Sequence, residues 1–467
     1  MSRTYVHVHI CVRRHIALRP SFFTRNANIT PPRSAAKVVS HTAYPPRPCP
    51  HDATTRVPST AAAGLPLTRG APACPGTRQL RSTEGAQCGK KMVKETRVDD
   101  RITVHAWNAD RSLCAICPNS NIVHIYKTPK GADATWEKVA TLKEHDALVT
   151  DIAWAPNSNR IVTTSQDRNA YVWTLEGTEW KPMLVILRIT AAATSVEWSP
   201  LESKFAVGSG SKTVPICYYE EGNNFWVSKM LKGNQSTVLG VAWHPTAPLV
   251  ATSSTDFKCR IFSAWLKNLD GKGQESPFGK DPKFGTVLFE TPSYGWVLNV
   301  AFNPAGDTLA FSSQDSTVTF VDINAAAAQQ GCMQALRLSE LPLTKLLFLP
   351  DGTLVGAGHS YDPLLFANTP QGWALAGKLA PNKAGGAAKA GGVAATRAMW
   401  TAQTNTGQNE SSTGTLDSAH HNQVCALRLF GGNFGGEPAA FTSSALDGKV
   451  VFWSPDEVSA AMANLGN

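Results

Sequence analysis

Residues 149–156 read VTDIAWAP, and the same pattern returns as ATSVEWSP at 193–200, VLGVAWHP at 238–245, VLNVAFNP at 297–304 and LTKLLFLP at 343–350. Each stretch closes an apolar run with an aromatic residue and has proline two positions later. With Trp107 and Leu429 in the same place, the seven closing residues are 47, 44, 45, 59, 46 and 81 positions apart. A period of about 45 residues with strands and turns, but no helices, is typical of a β-propeller. We therefore predict an all-β, seven-bladed propeller between Ile102 and Trp453.

Each repeat is expected to supply four short antiparallel strands, and those of the second repeat are the clearest. An Asp recurs in the turn after the second strand, where its short side chain bonds its own backbone. Seven repeats close a ring and leave only short, protected sheet edges. Because little chain follows Trp453, we expect Val93–Val98 to complete the last blade. The predicted strands of the second repeat are Val149–Trp154, Arg160–Ser165, Ala170–Leu175 and Trp180–Arg188.

Two repeats are longer than the period. By subtraction, about 14 extra residues lie near Leu266–Phe284 in the fourth repeat and about 36 lie at about 381–420, between the sixth and the seventh. The longer insert begins with a Gly- and Ala-rich stretch that we expect to be flexible. It then carries Arg397, Met399 and Trp400 on a predicted short helix over 394–403. These side chains either pack back on the propeller or form an apolar plug for a partner, where Trp and Arg are favoured anchors. We predict that they bind protein.

Charge is unevenly distributed along the chain. Residues 1–91 hold 14 Lys and Arg but 2 Asp and Glu, with 11 of the 30 prolines and none of the 13 tryptophans. They lack the apolar periodicity of a packed core, so we predict a disordered basic extension ahead of the propeller at 92–467. The propeller residues hold 30 basic and 33 acidic side chains, so the high pI does not support nucleic-acid binding. The apolar runs of the extension are too short to span a bilayer.

Three short motifs suggest chemistry, and each has a simpler interpretation. Cys114 and Cys117 could begin a zinc site, but no second pair follows at a ligand spacing, so we expect buried thiols in a reducing compartment. Residues 208–213, GSGSKT, lack the glycine before lysine and the following helix of a phosphate loop, so we expect a hairpin turn. His420 and His421 have no evident third ligand, so we expect exposure to solvent.

The sequence contains no set of residues that suggests catalysis. Neither a Ser/His/Asp set nor a nucleophile elbow stands out. A propeller hydrolase would require acidic or His residues that converge on the central channel, and the motifs show none. We therefore expect a binding protein, not an enzyme, with no catalytic residue, no cofactor and no metal site.

Several strings resemble one family: DRNAYVWTL at 167–175, WKPMLVILR at 180–188, KFAVGSGS at 204–211 and DFKCRIFS at 256–263. They are similar to the WD-repeat subunit, subunit 1, of the actin-related protein 2/3 complex, and the likeness runs from about Met92 to the C-terminus. The resemblance implies a WD40-type propeller. In such repeats His145, Ser165, Asp167 and Trp173 occupy the positions of a buried hydrogen-bonded network, which is tolerated when each polar group has a partner.

The resemblance also implies a function. It points to a non-catalytic scaffold and activator-docking subunit that supports nucleation of branched actin filaments in the cytoplasm, at the actin cytoskeleton. The implied partners are the other subunits of the complex, actin and nucleation-promoting factors, with no nucleic acid and no membrane span. The insert in this family is associated with contacts to actin and to those factors, and Arg397 and Trp400 match its Arg and aromatic positions. A generic WD-repeat adaptor of another multiprotein complex is the alternative.

Residues 1–91 have no counterpart in that family, whose chain starts where Met92 lies. We therefore expect the extension to be absent from the mature chain. A start codon assigned upstream is the simplest explanation. An organelle transit peptide, suggested by the Arg-rich and acid-poor composition, is the alternative.

Overall fold

The computed structural model describes residues 94–129, 135–271, 275–280, 282–379, 418–434 and 437–463. Within these ranges the chain forms seven four-stranded antiparallel sheets. The inner strands of neighbouring sheets contact each other around a closed ring, in which the first sheet touches both the second and the seventh. The predicted seven-bladed propeller is confirmed. The predicted extension 1–91 and nearly all of the predicted long insert, including Arg397, Met399 and Trp400, lie outside the described residues.

Each blade is numbered by its order in the chain, and its strands are given from the ring centre outwards. Blades 1 and 2 contain β2 (Val104–Trp107), β3 (Leu113–Cys117), β4 (Val123–Lys127) and β5 (Glu137–Leu142), then β6 (Val149–Trp154), β7 (Ile161–Ser165), β8 (Asn169–Glu176) and β9 (Glu179–Ile186). Blades 3 and 4 contain β10 (Ala193–Trp198), β11 (Lys204–Ser209), β12 (Thr213–Glu220) and β13 (Phe225–Lys232), then β14 (Val238–Trp243), β15 (Leu249–Ser254), β16 (Lys258–Ser263) and β17 (Val287–Pro292). Blades 5 and 6 contain β18 (Val297–Phe302), β19 (Thr308–Ser313), β20 (Thr317–Asp322) and β21 (Met333–Arg337), then β22 (Leu343–Phe348), β23 (Leu354–Gly358), β24 (Leu364–Thr369) and β25 (Gly372–Lys378). Blade 7 contains β26 (Val424–Phe434), β27 (Glu437–Ala445), β28 (Lys449–Trp453) and, from the other end of the chain, β1 (Lys94–Arg97).

The ring is closed by the pairing of β1 with β28. The two strands are antiparallel, with Lys94 opposite Phe452 and Arg97 opposite Lys449. A salt bridge of 2.7 Å between the Lys449 ammonium and the Glu95 carboxylate links the same strands. The expectation that Val93–Val98 completes the last blade is confirmed for its described residues, of which Lys94–Arg97 form the strand, and the outer edge of blade 7 is thereby occupied.

The recurring aromatic residues lie between blades, which explains why they repeat. Trp198 donates its indole N–H to the carbonyl oxygen of Ala153 in blade 2 at 3.1 Å, and Trp243 donates to that of Glu197 in blade 3 at 3.0 Å. Trp107 reaches Thr442 of blade 7 at 2.9 Å. A large ring with one polar atom can fill the space between two sheets and still satisfy its N–H.

Six of the seven inner strands share a β-bulge that the sequence pattern does not reveal. The pairing with the second strand shifts at the same place in each, and blade 1 lacks the shift. A bulge re-aims the side chain that follows it. The residues after the six bulges are Asp151, Ser195, Gly240, Asn299, Lys345 and Ala426.

A left-handed residue occupies the turn between the second and third strands of every blade. Gly448 in blade 7 has φ of +75°, and a Cβ there would overlap the carbonyl oxygen of Asp99. Glycine at this position therefore allows the chain after β1 to pass closely over the turn, and Val98 N–H bonds the Gly448 carbonyl at 2.9 Å. The other six residues are Asn119, Arg168, Lys212, Phe257, Ser316 and Tyr361.

Two short helices depart from the expectation of a helix-free repeat. The helix α1 (Ile323–Ala327) follows β20 and is capped by Asp322. The helix α2 (Pro455–Met462) follows β28 and begins with a capping box between Ser454 and Glu457. Its buried Val458 and Ala461 pack in the same hydrophobic cluster as residues of blades 6 and 7. The chain after Trp453 thus adds a helix to the propeller, while β1 supplies the missing strand.

Candidate functional site

The residues predicted to form a buried network in blade 2 lie together. His145 Nδ1 is 2.7 Å from an Asp167 oxygen, and His145 Nε2 is 2.8 Å from Thr163 Oγ1. Trp173 donates its indole N–H to the same Thr163 oxygen at 2.9 Å. Ser165 is adjacent, but it donates to a backbone carbonyl at 2.8 Å and not to the His–Trp pair. Thr163, which no sequence motif marks, therefore joins the imidazole to the indole.

Blade 7 contains the same arrangement. His420 Nε2 lies 2.7 Å from Ser443 Oγ, and its Nδ1 lies 3.3 Å from Asp447. Trp453 donates to Ser443 at 2.8 Å. His420 is fully buried, so the expectation that it is exposed was wrong, whereas His421 is exposed. The end of the insert places His420 where His145 lies in blade 2, a likeness that the length of the insert conceals in the sequence.

Blade 4 fills the corresponding space with an arginine. Arg260 is 1% exposed, and it contacts Asp256 at 2.7 Å, Glu290 at 2.7 Å and the Asn234 side-chain oxygen at 2.9 Å. A buried guanidinium is tolerated here because three acceptors surround it. The contact between Arg260 and Asp256 could be anticipated in part from the sequence, because Asp256 occupies the same position in its turn as Asp167 in blade 2.

The buried imidazoles are suited to structural roles. Burial lowers the pKa of His145 although the Asp167 carboxylate works against that shift, and burial also lowers the pKa of His244. The pKa of His105 is held well below its ordinary value by burial and by the charges of Arg428 and His420. Such groups remain neutral at pH 7 and hold their hydrogen bonds without a buried charge.

Charged residues do converge on the central channel, contrary to the expectation from the motifs. Arg428 of blade 7 reaches Asp151 of blade 2 at 3.1 Å. The other Asp151 oxygen accepts the N–H of Val196 in blade 3 at 3.0 Å, and Glu197 accepts the N–H of Trp243 in blade 4 at 3.2 Å. These side chains link one blade to the next. They lie on inner strands, where the bulges and not a local motif determine the direction of each side chain.

The two remaining motifs are resolved by the fold. Cys114 and Cys117 are buried, unpaired thiols on β3, as predicted. The GSGSKT segment joins β11 to β12 as a hairpin turn, also as predicted, with Ser209 Oγ donating to the Thr213 carbonyl at 2.7 Å.

Among the described residues, no group of three or more His, Cys, Asp and Glu side chains is placed to hold a metal ion. None of the helices in those ranges is long and apolar enough to cross a bilayer.

Known proteins are similar to this chain in two of its repeats and over most of its length. The family described as "WD domain, G-beta repeat" matches residues 136–174 and 226–263. These segments hold the blade 2 network and, apart from Glu290, the blade 4 arrangement around Arg260. Actin-related protein 2/3 complex subunit 1B of Arabidopsis thaliana is 39% identical over 381 residues, which cover 80% of this chain and 99% of the relative. The chain belongs to the subunit 1 family of the actin-related protein 2/3 complex. Subunit 1A-A of Xenopus laevis is 41% identical over 75% of this chain and 93% of the relative, and subunit 1 of Schizosaccharomyces pombe is 39% identical over 75% and 96%.

The long insert of this subunit 1 chain is held at both described ends by one turn of blade 6. Before the insert, Leu379 N–H bonds the Pro363 carbonyl at 2.9 Å, and after it, Ala419 N–H bonds the Asp362 carboxylate at 3.2 Å. Leu379 and Ala419 are both buried in the same hydrophobic cluster. The predicted binding residues Arg397, Met399 and Trp400 fall between these two points, outside the described residues. The described residues before and after the insert therefore meet at a single turn of blade 6.

Proposed function

We propose that the chain is a non-catalytic scaffold and activator-docking subunit of the actin-related protein 2/3 complex, and that it supports nucleation of branched actin filaments in the cytoplasm. The observation that carries the proposal is identity of about two in five residues to curated subunits 1 across nearly their whole length. Because the similarity extends over nearly the whole length of these relatives, we infer that this chain has the same binding surfaces as well as the same fold.

The packing of the ring supports a scaffold role. Neighbouring blades are joined by side-chain to backbone hydrogen bonds, such as Asp151 to Val196 and Asn299 to Leu346, the latter at 3.0 Å. Inter-blade Trp side chains add apolar contact. A ring of this kind can present loops on two faces without rearranging its core.

The insert supports the docking role. The described residues on either side of it, Leu379 and Ala419, are both fixed at the Asp362–Pro363 turn, so the insert is bounded at one point of the propeller. Arg397, Met399 and Trp400 combine a cation with a flexible and an aromatic side chain, a composition favoured at interface anchors. We propose that these residues contact actin and nucleation-promoting factors.

Membership of the complex is tested by affinity purification of the full chain from native extract. We expect the other subunits of the complex, including its actin-related proteins, to co-purify in equal amounts. A ubiquitin ligase or chromatin complex in their place would contradict the proposal and favour a generic adaptor.

The docking role is tested with Trp400→Ala in reconstituted complex. Loss of an anchor side chain costs about 2 kcal/mol or more of binding, which corresponds to roughly thirtyfold weaker engagement. Branched nucleation should fall accordingly, while the melting temperature of the chain should stay unchanged. Trp296→Ala is the matched control, because Trp296 is a tryptophan that is 47% exposed on the propeller itself. Normal nucleation with a lowered melting temperature would mean that Trp400 packs on the ring.

A further inference from the structure

Ala419, at the described end of the long insert, is held through both of its backbone groups. Its N–H donates to the Asp362 carboxylate of blade 6 at 3.2 Å. Its carbonyl oxygen accepts a hydrogen bond from the Lys449 ammonium of blade 7 at 3.3 Å. Ala419 is fully buried, so neither backbone group can turn to water if its partner is lost. Two side chains of opposite charge, from two blades, therefore fix one residue beside the insert.

The neighbours of Ala419 in the chain are fixed as well. Ser418 Oγ donates to the His420 carbonyl oxygen at 2.6 Å, and the His420 side chain lies in the blade 7 network described above. The His421 N–H donates to the Asp447 carboxylate at 2.9 Å. Consecutive residues at the end of the insert therefore each take part in a hydrogen bond.

Blade 2 shows that the hold on Ala419 is not a general property of the repeat. His145 corresponds to His420, so Glu144 is the residue that corresponds to Ala419. Glu144 is exposed, and its backbone forms no hydrogen bond with a residue in the part of the chain that the structure describes. The charged contacts to Ala419 therefore belong to the blade that follows the long insert, and not to the network that both blades share.

Lys449 also joins this position to the strand that closes the ring. Its ammonium group lies 2.7 Å from the Glu95 carboxylate of β1, and its backbone pairs with Arg97 of the same strand. The Lys449 side chain is 20% exposed and that of Glu95 is 31% exposed, so water screens this pair less than a fully exposed one. One ammonium group thus contacts both β1 and Ala419, and a change in β1 can reach the end of the insert through a single side chain.

Asp362 holds the other side of the same junction. Its side chain is 4% exposed, and the carboxylate oxygen that does not bond Ala419 lies 3.4 Å from the Lys378 ammonium. Pro363, the next residue, accepts the Leu379 N–H at 2.9 Å. Burial raises the pKa of the Asp362 carboxyl, and the Ala419 N–H and the charge of Lys378 oppose the rise. A buried carboxylate requires such partners, so the contact between Asp362 and Ala419 is favourable for both groups.

We propose that Asp362 and Lys449 are positioning residues for activator docking, and that Lys449 couples the ring-closing strand β1 to the end of the insert. The proposal rests on the docking role proposed above. Each side chain acts through Ala419, which it holds at a fixed place on the propeller. Loss of either contact leaves a buried backbone group of Ala419 without a partner. The chain there is then less well ordered, and binding carries the additional cost of ordering it.

The test is a titration of the reconstituted complex with a purified nucleation-promoting factor, read out as branched-filament nucleation. We expect Asp362→Ala and Lys449→Met to raise the half-maximal concentration of the factor about threefold or more, with the maximal rate unchanged. Lys449→Arg should restore the ordinary value, because it keeps a cation at the same place. An unchanged half-maximal concentration in folded Asp362→Ala and Lys449→Met would overturn the proposal.

Lys258→Met is the matched control. Lys258 follows the left-handed turn residue of blade 4, as Lys449 does in blade 7, and it likewise pairs with a glutamate of the outermost strand, Glu290. It has no contact with the insert, so its loss should leave the half-maximal concentration unchanged. An equal rise in Lys258→Met and Lys449→Met would show that the effect comes from any lost ion pair at the rim, and would count against the proposal.

Amide hydrogen exchange of the full chain measures the hold on Ala419 directly. Exchange of the Ala419 amide should be faster in Asp362→Ala than in the unaltered chain, because its acceptor is lost. Lys258→Met should leave it unchanged. Equal exchange of this amide in Asp362→Ala and the unaltered chain would show that Asp362 does not fix Ala419.

A double-variant cycle with Trp400→Ala separates failure of this proposal from failure of the docking role. If Lys449→Met acts through the insert, its effect on the half-maximal concentration should largely disappear in a Trp400→Ala background. An equal effect in both backgrounds would overturn the positioning role of Lys449 and leave the docking role standing. Normal nucleation by Trp400→Ala alone would overturn the docking role, and the positioning proposal with it.

Discussion

Thr163 carries two hydrogen bonds of opposite direction through one oxygen atom. Trp173 donates its indole N–H to Thr163 Oγ1, which leaves the hydroxyl hydrogen for Nε2 of His145. An ionised carboxylate only accepts, so the His145 proton lies on Nδ1, facing Asp167. One hydroxyl thus selects the tautomer of the imidazole and fixes the indole beside it. Ser443 has the same two contacts in blade 7.

Thr163→Val should destabilise the propeller more than its small change in shape suggests. The valine keeps the volume of the side chain but leaves His145 Nε2 and the Trp173 N–H buried without partners, at a cost of about 1–3 kcal/mol. The urea midpoint of the full chain measures the effect. Thr174→Val is the control, because Thr174 lies in the same blade at a half-buried position without a described side-chain bond. It should change the free energy of unfolding by less than about 0.5 kcal/mol. Equal midpoints for the two variants would contradict this role of Thr163.

Part of this network could be predicted from the sequence at the residue scale. His145, Asp167 and Trp173 stand at the expected spacing, and their contacts follow the repeat. Thr163 gave no separate signal, because Thr is common in strands whatever it bonds. His420 was wrongly expected to be exposed. The histidine of each repeat is recognised by its distance from the preceding repeat, and the long insert before His420 changes that distance.

At the scale of elements, the loop between β16 and β17 is fixed by a buried ion pair. The Lys204 ammonium of β11 contacts the Asp270 carboxylate at 2.5 Å and the Ala264 carbonyl at 3.1 Å, and it lies 5.5 Å from the centre of the Trp243 ring. Both charged side chains are 4% exposed or less. A segment of blade 4 is thereby anchored to blade 3.

Lys204→Met should therefore be strongly destabilising. It leaves the Asp270 carboxylate buried without a counter-charge, and breaking such a pair costs about 3–5 kcal/mol. The double variant Lys204→Met with Asp270→Leu should recover much of that loss. Lys280→Met removes a partner of Glu275 in an exposed pair and should cost less than about 1 kcal/mol. Chemical unfolding of the four proteins provides the comparison, and a double variant no better than the single one would refute this explanation.

Removal of β1 should expose the edge of β28. A chain that starts at Asp100 lacks the whole strand, whereas a chain that starts at Val93 retains it. We expect the shorter chain to aggregate or to melt at a lower temperature, because an unpaired strand edge accepts other strands. Light scattering and thermal melting of the two proteins decide the matter. Identical melting without aggregation would show that β1 contributes little to closure.

The elements themselves were largely predictable, and the exceptions have physical reasons. Strand positions followed from alternation and turn residues, and β1 followed from the need of blade 7 for a fourth strand. The helix α2 was not predicted although Ser454, Pro455 and Glu457 form a capping signal, because it lies beyond Trp453, where the repeat pattern ends. The bulges were not predictable, since each depends on pairing between two strands.

At the scale of the whole molecule, buried imidazoles distributed over several blades should make stability depend on pH. The folded pKa values of His105, His124, His145 and His244 all lie below the ordinary value, with burial as the first cause. Unfolded histidine titrates near about pH 6.5, so below that pH the unfolded state binds more protons and the free energy of unfolding falls with decreasing pH. Glu197 acts in the opposite direction, because its folded pKa is raised.

The contribution of one histidine to this pH dependence is therefore measured by comparing the variant with the unaltered chain. His105→Gln should reduce the loss of stability between about pH 7 and pH 5, by at most about 1.4 kcal/mol per pH unit. His421→Gln, at an exposed position, should leave the slope unchanged. Denaturant midpoints over this pH range supply the measurement. Parallel pH profiles for His105→Gln and the unaltered chain would show that His105 does not contribute.

The pairing of β1 with β28 also sets an order of events at the ribosome. The segment that contains Glu95 is synthesised early, but its partner Lys449 lies 354 residues later in the chain. At about 5–20 residues per second, translation of that length takes roughly 20–70 seconds. During this interval β1 has no partner strand, because β28 has not yet been synthesised. The last blade therefore combines a strand made before the rest of the propeller with one made after most of it, and the ring closes only after Lys449 has been synthesised.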